Sequence, residues 1–146
     1  MSLKIIHTAD WHLGQTFFGY DRDEEHEAFL SWLIDILTLR QTDVLLIAGD
    51  VFDVANPSAA AQRRFFRFLR EANRHNPQLQ IVIIAGNHDS AARLEAPIPL
   101  LEELNTSIVG VVPRTDLCKI DFDSLLIPLY NNCLLYTSPS PRDGAT

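Results

Sequence analysis

Val44-Leu45-Leu46-Ile47-Ala48-Gly49-Asp50-Val51-Phe52-Asp53 carries five apolar residues into a glycine and then places two carboxylates three residues apart. The apolar part does not alternate with polar residues, so it reads as a strand covered on both faces. Two other stretches repeat the pattern. Residues 3–7 lead into Asp10-Trp11-His12, and residues 80–85 lead into Gly86-Asn87-His88-Asp89. Each strand therefore releases its chain into a packet of metal-ligand residue types. In a parallel sheet the strand ends on one edge converge, so packets far apart in sequence meet in space.

The segments between these strands read as helices. Residues 24–40 place Phe29, Leu30, Leu33, Ile36 and Leu37 at three- and four-residue spacing, and Asp21 with Glu24 has the spacing of a capping box. Residues 58–75 form a second helix with Phe65, Phe68, Leu69 and Ala72 as its core stripe, opened by Pro57 and closed by Pro77. Residues 91–104 form a third, with a kink or break at Pro97 and Pro99. Strand and helix alternating three times predict a layered α/β fold. Residues 107–112, 117–122 and 124–129 read as further strands, the last two joined by a tight turn at 121–123. From Cys133 the chain becomes Ser/Pro-rich and aperiodic. The expected organisation is residues 1–132 as the N-terminal part of one domain, cut short on its C-terminal side, and 133–146 as a disordered, non-native tail.

Composition bounds the function. The chain has 146 residues, 47% hydrophobic, with a formal net charge of −7. Setting aside the four carboxylates of the packets leaves the balance acidic, so any contact with DNA is local. No apolar run has the length of a membrane span, and the N-terminus lacks the shape of a signal peptide. Cys118 and Cys133 form no metal-binding pair and predict a reducing, cytoplasmic setting.

Carboxylate, imidazole and amide oxygen gathered at one edge suit hard or borderline divalent cations. Taken alone, each packet also reads as a polar turn or a helix cap; three in order at three strand ends do not. Trp11 and Phe52 read as packing beneath the loops. His7, inside the first strand, reads as a core or hydrogen-bonded residue, while His26 and His75 fall on helices and read as solvated. Arg63, Arg67, Arg70 and Arg74 form one stripe on the second helix, open to two readings: a solvated face or contact with a DNA backbone.

The ordered motifs Asp10-Trp-His12-Leu-Gly, Gly49-Asp50-Val-Phe-Asp53 and Gly86-Asn87-His88-Asp89 resemble those of the calcineurin-like metallophosphoesterase family over residues 3–130. The resemblance implies a layered metallophosphoesterase fold and two divalent cations, Mn²⁺ foremost, with Mg²⁺, Fe or Zn as alternatives. By the same resemblance Asp10 and His12 bind the first metal, Asp50 bridges both, and Asn87 binds the second. His88 acts on the leaving oxygen, Asp89 hydrogen-bonds His88, and Asp53 sits behind the ligands or faces the substrate. The family's later Gly-His and Gly-His-x-His strings have no counterpart, since no histidine follows His88. The implied activity is DNA phosphodiester hydrolysis, as exonuclease or endonuclease, in repair and recombination with an ATPase partner. A homodimer through helices 58–75 and 91–104 is also implied. The alternatives are a non-catalytic dimerising or partner-binding fragment and a phosphoesterase acting on nucleotides or phosphoproteins.

Overall fold

The computed structural model describes residues 2–129 and 133–137. Four parallel strands form the central sheet in chain order: β1 (Ile5–Thr8), β4 (Val44–Ala48), β5 (Gln80–Ile84) and β6 (Thr106–Val109). Between β1 and β4 the chain makes a small hairpin, β2 (Thr16–Phe17) with β3 (Tyr20–Asp21), and then helix α1 (Asp23–Leu39). Helix α2 (Ala59–His75) joins β4 to β5. Two short helices, α3 (Ala91–Glu95) and α4 (Ile98–Leu101), followed by a 3₁₀ turn, lead into β6. The helix expected over 91–104 is thus broken where Pro97 removes a backbone donor.

The sheet buries both faces because its two central strands are apolar at every position but Gln80. Leu45, Ile47, Ile81 and Ile83 point to the side of α1 and α2 and meet Leu33, Leu37, Phe65, Phe68 and Leu69. Val44, Val82 and Val109 point the other way, against Leu125, Ile127 and Leu129. Those last residues belong to, or flank, a ribbon of β7 (Leu126–Pro128) and β8 (Leu134–Tyr136). Arg64 ties the helix layer together, reaching Asp23 and Glu27 of α1 at 3.0 Å each. Ser58 caps α2, its hydroxyl accepting from the Ala61 amide at 3.1 Å.

Several expectations are corrected. Residues 117–122 form no strand; Ile120 makes only an isolated bridge to Arg114, and β7 pairs with β8 instead. Leu134–Tyr136 is therefore a strand where an unstructured tail is expected, while residues 130–132 and 138–146 lie outside the described residues. Arg22, not Asp21, is the N-cap of α1 and its side chain makes no cap bond; Asp21 Oδ1 accepts the Asp23 amide at 3.3 Å. His26 is buried rather than solvated, because it occupies the inner side of the first turn of α1. His7 is exposed: it lies on an edge strand, in register with Leu46, beyond the cover of the ribbon. His75 is exposed, as expected.

Candidate metal centre

β1, β4 and β5 are neighbours, so the loops that leave their C-terminal ends lie side by side. The first two loops prolong the strand pairing. Asp10 N–H donates to Gly49 O at 3.0 Å, His12 N–H to Asp50 O at 3.0 Å and Leu13 N–H to Val51 O at 2.9 Å. Trp11, between the two candidate ligands, turns inward and packs edge-to-face on Phe29 and Phe68, with its indole N–H on Thr8 Oγ1 at 2.9 Å. Phe52 packs on Phe65. Both aromatics thus lie beneath the loops, as the sequence suggests.

Asp10, His12 and Asp50 have φ of 55°, 48° and 51°. A left-handed backbone at a residue with a side chain is strained, and strain of this kind concentrates at functional sites. Two of these left-handed residues, Asp10 and His12, flank the inward-facing Trp11, and the ligand atoms of both come within reach of Asp50.

The ligand atoms of Asp10, His12 and Asp50 lie within 4.8 Å of one another. His12 Nε2 is 3.9 Å from Asp10 Oδ1 and 3.8 Å from Asp50 Oδ2. Ligands about 2.1 Å from one ion stand at most about 4.2 Å apart, so these separations fit a single cation. The tautomer fits too. His12 Nδ1 is 3.2 Å from Asp53 Oδ1, which holds the proton on Nδ1 and turns the Nε2 lone pair to the cluster. Asp50 divides its oxygens: Oδ2 faces His12, and Oδ1 accepts the His88 amide at 2.9 Å. Asn87 lines one open cleft of about 300 Å³ with Asp10, Gly49, Asp50 and Gly86. The residues present therefore fit one ion of mixed N/O ligation, with Asn87 lining the same cleft.

Gly86 is required by contact. A Cβ there would overlap the backbone nitrogen and carboxylate of Asp50. Gly49, at φ 90°, combines a left-handed turn with the close approach of Gly86.

Asp89 has a task that the sequence did not suggest. Its carboxylate is 1% exposed and accepts three backbone amides, Gly86 at 2.9 Å, Phe52 at 3.0 Å and Val51 at 3.2 Å. It binds the second and third loops together. Burial raises its pKa above the usual carboxylate range, against the pull of those donors and with a smaller push from Asp50. The ring of His88 instead turns its Nδ1 to the main-chain oxygen of Asp53, at 3.1 Å. His88 and Asn87 are both exposed at the mouth of the site.

The arginine stripe lies elsewhere. Arg67 is 3.7 Å from Glu27, and Arg70 and Arg74 are 3.3 and 3.6 Å from Glu71. Arg63, Arg67 and Arg70 border a groove floored by Phe66, Leu100, Leu101 and Leu104. The sequence reading missed the β2–β3 hairpin beside the site. Its signal was Phe18-Gly19, a pair that can sit at the two central positions of a tight turn.

A strand-edge cluster of this kind suits a divalent cation, and comparison with known proteins points the same way. The model of the calcineurin-like phosphoesterase family matches residues 3–136, and the chain belongs to that family. It is 51% identical over 127 residues to the SbcD component of the nuclease SbcCD from Rhodobacter capsulatus, covering 87% of this chain and 31% of that protein. The SbcD proteins of Escherichia coli and Bacillus subtilis are each 38% identical, over 133 and 136 residues. Those matches cover 82% and 93% of this chain, and 33% and 34% of the relatives. The chain thus spans about a third of the length of the curated relatives it matches.

Proposed function

We propose that residues 1–132 are the N-terminal part of a metal-dependent DNA nuclease domain that hydrolyses phosphodiester bonds in the cytoplasm, together with an SbcC-type ATPase. The observation that carries this reading is the convergence of Asp10, His12 and Asp50 beside Asn87 and His88, in a chain half identical to a nuclease component. Asp10, His12 and Asp50 would hold one cation, and Asp50 with Asn87 would contribute to a second, Mn²⁺ being the ion of choice. Two such ions supply an activated water and neutralise the phosphate oxygens. His88 contributes a proton relay. With Nδ1–H held by the Asp53 carbonyl, Nε2 is free to exchange a proton with the leaving oxygen. Asp89 keeps the loops in register so that these atoms stay together. Arg63, Arg67, Arg70 and Arg74 are a weaker candidate for DNA contact, since acids already accompany three of them.

The test is thermal unfolding with and without millimolar Mn²⁺, beside hydrolysis of linear DNA. A ligand at a hundred times its Kd stabilises the folded state by about 2.7 kcal/mol. Wild type should gain melting temperature with Mn²⁺ and Asp50→Ala should not. A wild type indifferent to Mn²⁺, or an Asp50→Ala variant that responds identically, removes the reading.

A further inference from the structure

The hairpin that follows the first metal motif presents three aromatic side chains to solvent. Phe17 is 65% exposed, Phe18 87% and Tyr20 78%. Phe17 and Tyr20 are cross-strand partners and share a face, and the Phe17 and Phe18 rings meet edge-to-face at 4.6 Å. The two-residue turn has φ of 48° at Phe18 and 80° at Gly19, the pattern of a type I′ turn. Asn, Asp or Gly usually fills the first of those positions, because a bulky side chain is strained there. Phe18 thus accepts strain and gains no burial. A strained, exposed aromatic is an observation that points to use outside the fold.

Its position says where. Gln15 N–H donates to the main-chain oxygen of His12 at 3.0 Å, and Arg22 donates to Gln15 Oε1 at 3.0 Å. The chain on either side of the hairpin is thus tied through Gln15 to the main chain of His12, a candidate metal ligand. Six residues of extended chain, the separation of His12 and Phe18, span at most about 20 Å. Charge narrows the occupant. Arg22, the basic residue lining the cleft beside the hairpin, is held by Glu25 at 2.6 Å, and Asp21 stands next to it, so its charge is already matched and a phosphate gains little there. A nucleobase offers an uncharged π-face that an aromatic ring stacks on regardless of sequence.

We infer that Phe18, supported by Phe17 and Tyr20, stacks on unpaired bases at the end of a DNA strand whose backbone lies at the metal site. The inference rests on the nuclease reading and narrows its substrate to DNA with unpaired or frayed ends. The experiment compares anisotropy of labelled blunt duplex with that of the same duplex carrying short unpaired ends, for wild type, Phe18→Ser and Phe18→Tyr. All three side chains are exposed, so folding is preserved, and the Mn²⁺-induced shift in melting temperature is recorded for each. The expected result is a loss of about tenfold in affinity for the unpaired ends in Phe18→Ser, little change on the blunt duplex, and retention in Phe18→Tyr. Equal affinities in all three proteins overturn the inference. So does an equal loss on both duplexes, or a wild type that binds neither. A loss of binding to the ATPase partner in Phe18→Ser, with DNA affinity intact, overturns it in favour of protein docking. The Mn²⁺ shift and its dependence on Asp50 judge the metal reading separately.

Discussion

Asp53 Oδ1 lies 3.2 Å from His12 Nδ1, while the main-chain oxygen of the same residue lies 3.1 Å from His88 Nδ1. One residue thus fixes the ring orientation of two histidines with two chemically different acceptors. Substitution separates them, since only the side-chain acceptor can be removed. Asp53→Ala should weaken Mn²⁺ binding about 10- to 100-fold, the usual cost of losing an outer partner of a metal-binding histidine. Asp53→Asn keeps an acceptor oxygen and should lose less. Calorimetric titration of the three proteins measures this, and equal midpoints would show that His12 does not depend on Asp53.

Gly86→Ala tests the packing of the second and third loops. The added methyl meets Asp50 at backbone and carboxylate together, so neither can give way alone. The variant should lose about 1–3 kcal/mol of stability by overpacking and also lose its thermal response to Mn²⁺. Unfolding in urea, with and without the metal, reads both effects. A variant that matches wild type in both would mean that the loops separate freely.

The strand core was legible because the two central strands are apolar at nearly every position, and the packets follow closely. Residues 117–122 mix Leu117, Ile120 and Phe122 with Lys119 and Asp121, and Leu117 and Phe122 are exposed, so their apolar residues signalled no partner. Asp53 is expected behind the ligands or facing the substrate, and its carboxylate stands 3.2 Å from His12 Nδ1; the loop-binding role of Asp89 was not legible. Neighbours in a tight turn can point in opposite directions, and Asp89 points away from His88 to loops that are distant in sequence. His26 was misread because one residue of rotation on a helix decides between water and core.

The groove between α2 and α4 bears on association. Phe66 is half-buried against the core and Leu100 is 75% exposed, leaving an apolar floor between Arg63, Arg67 and Arg70. A homodimer through helices 58–75 and 91–104 would bury this floor on both copies alike. Sedimentation should then find wild type dimeric and Phe66→Glu monomeric. A monomeric wild type, or a dimeric Phe66→Glu, excludes this interface.

His26 predicts a pH dependence of stability. It is 6% exposed, and its Nδ1 has no hydrogen-bond partner among the described residues. Burial, then the positive charges of Arg22 and Arg64, lower its pKa below the ordinary 6.5, and Asp23 and Glu25 only partly offset them. The unfolded chain therefore takes up a proton near pH 6.5 that the folded chain refuses. The folded state is favoured fully above that pH and loses stability as the pH falls toward the folded pKa, by at most about 1.4 kcal/mol per pH unit for one proton. His26→Leu removes both the titration and the unpaired nitrogen. Urea unfolding of the two proteins from pH 7.5 to 5.5 should show wild type declining more steeply than the variant. Parallel curves would mean that His26 protonates as readily in the fold as in water, and that the first turn of α1 opens to admit it.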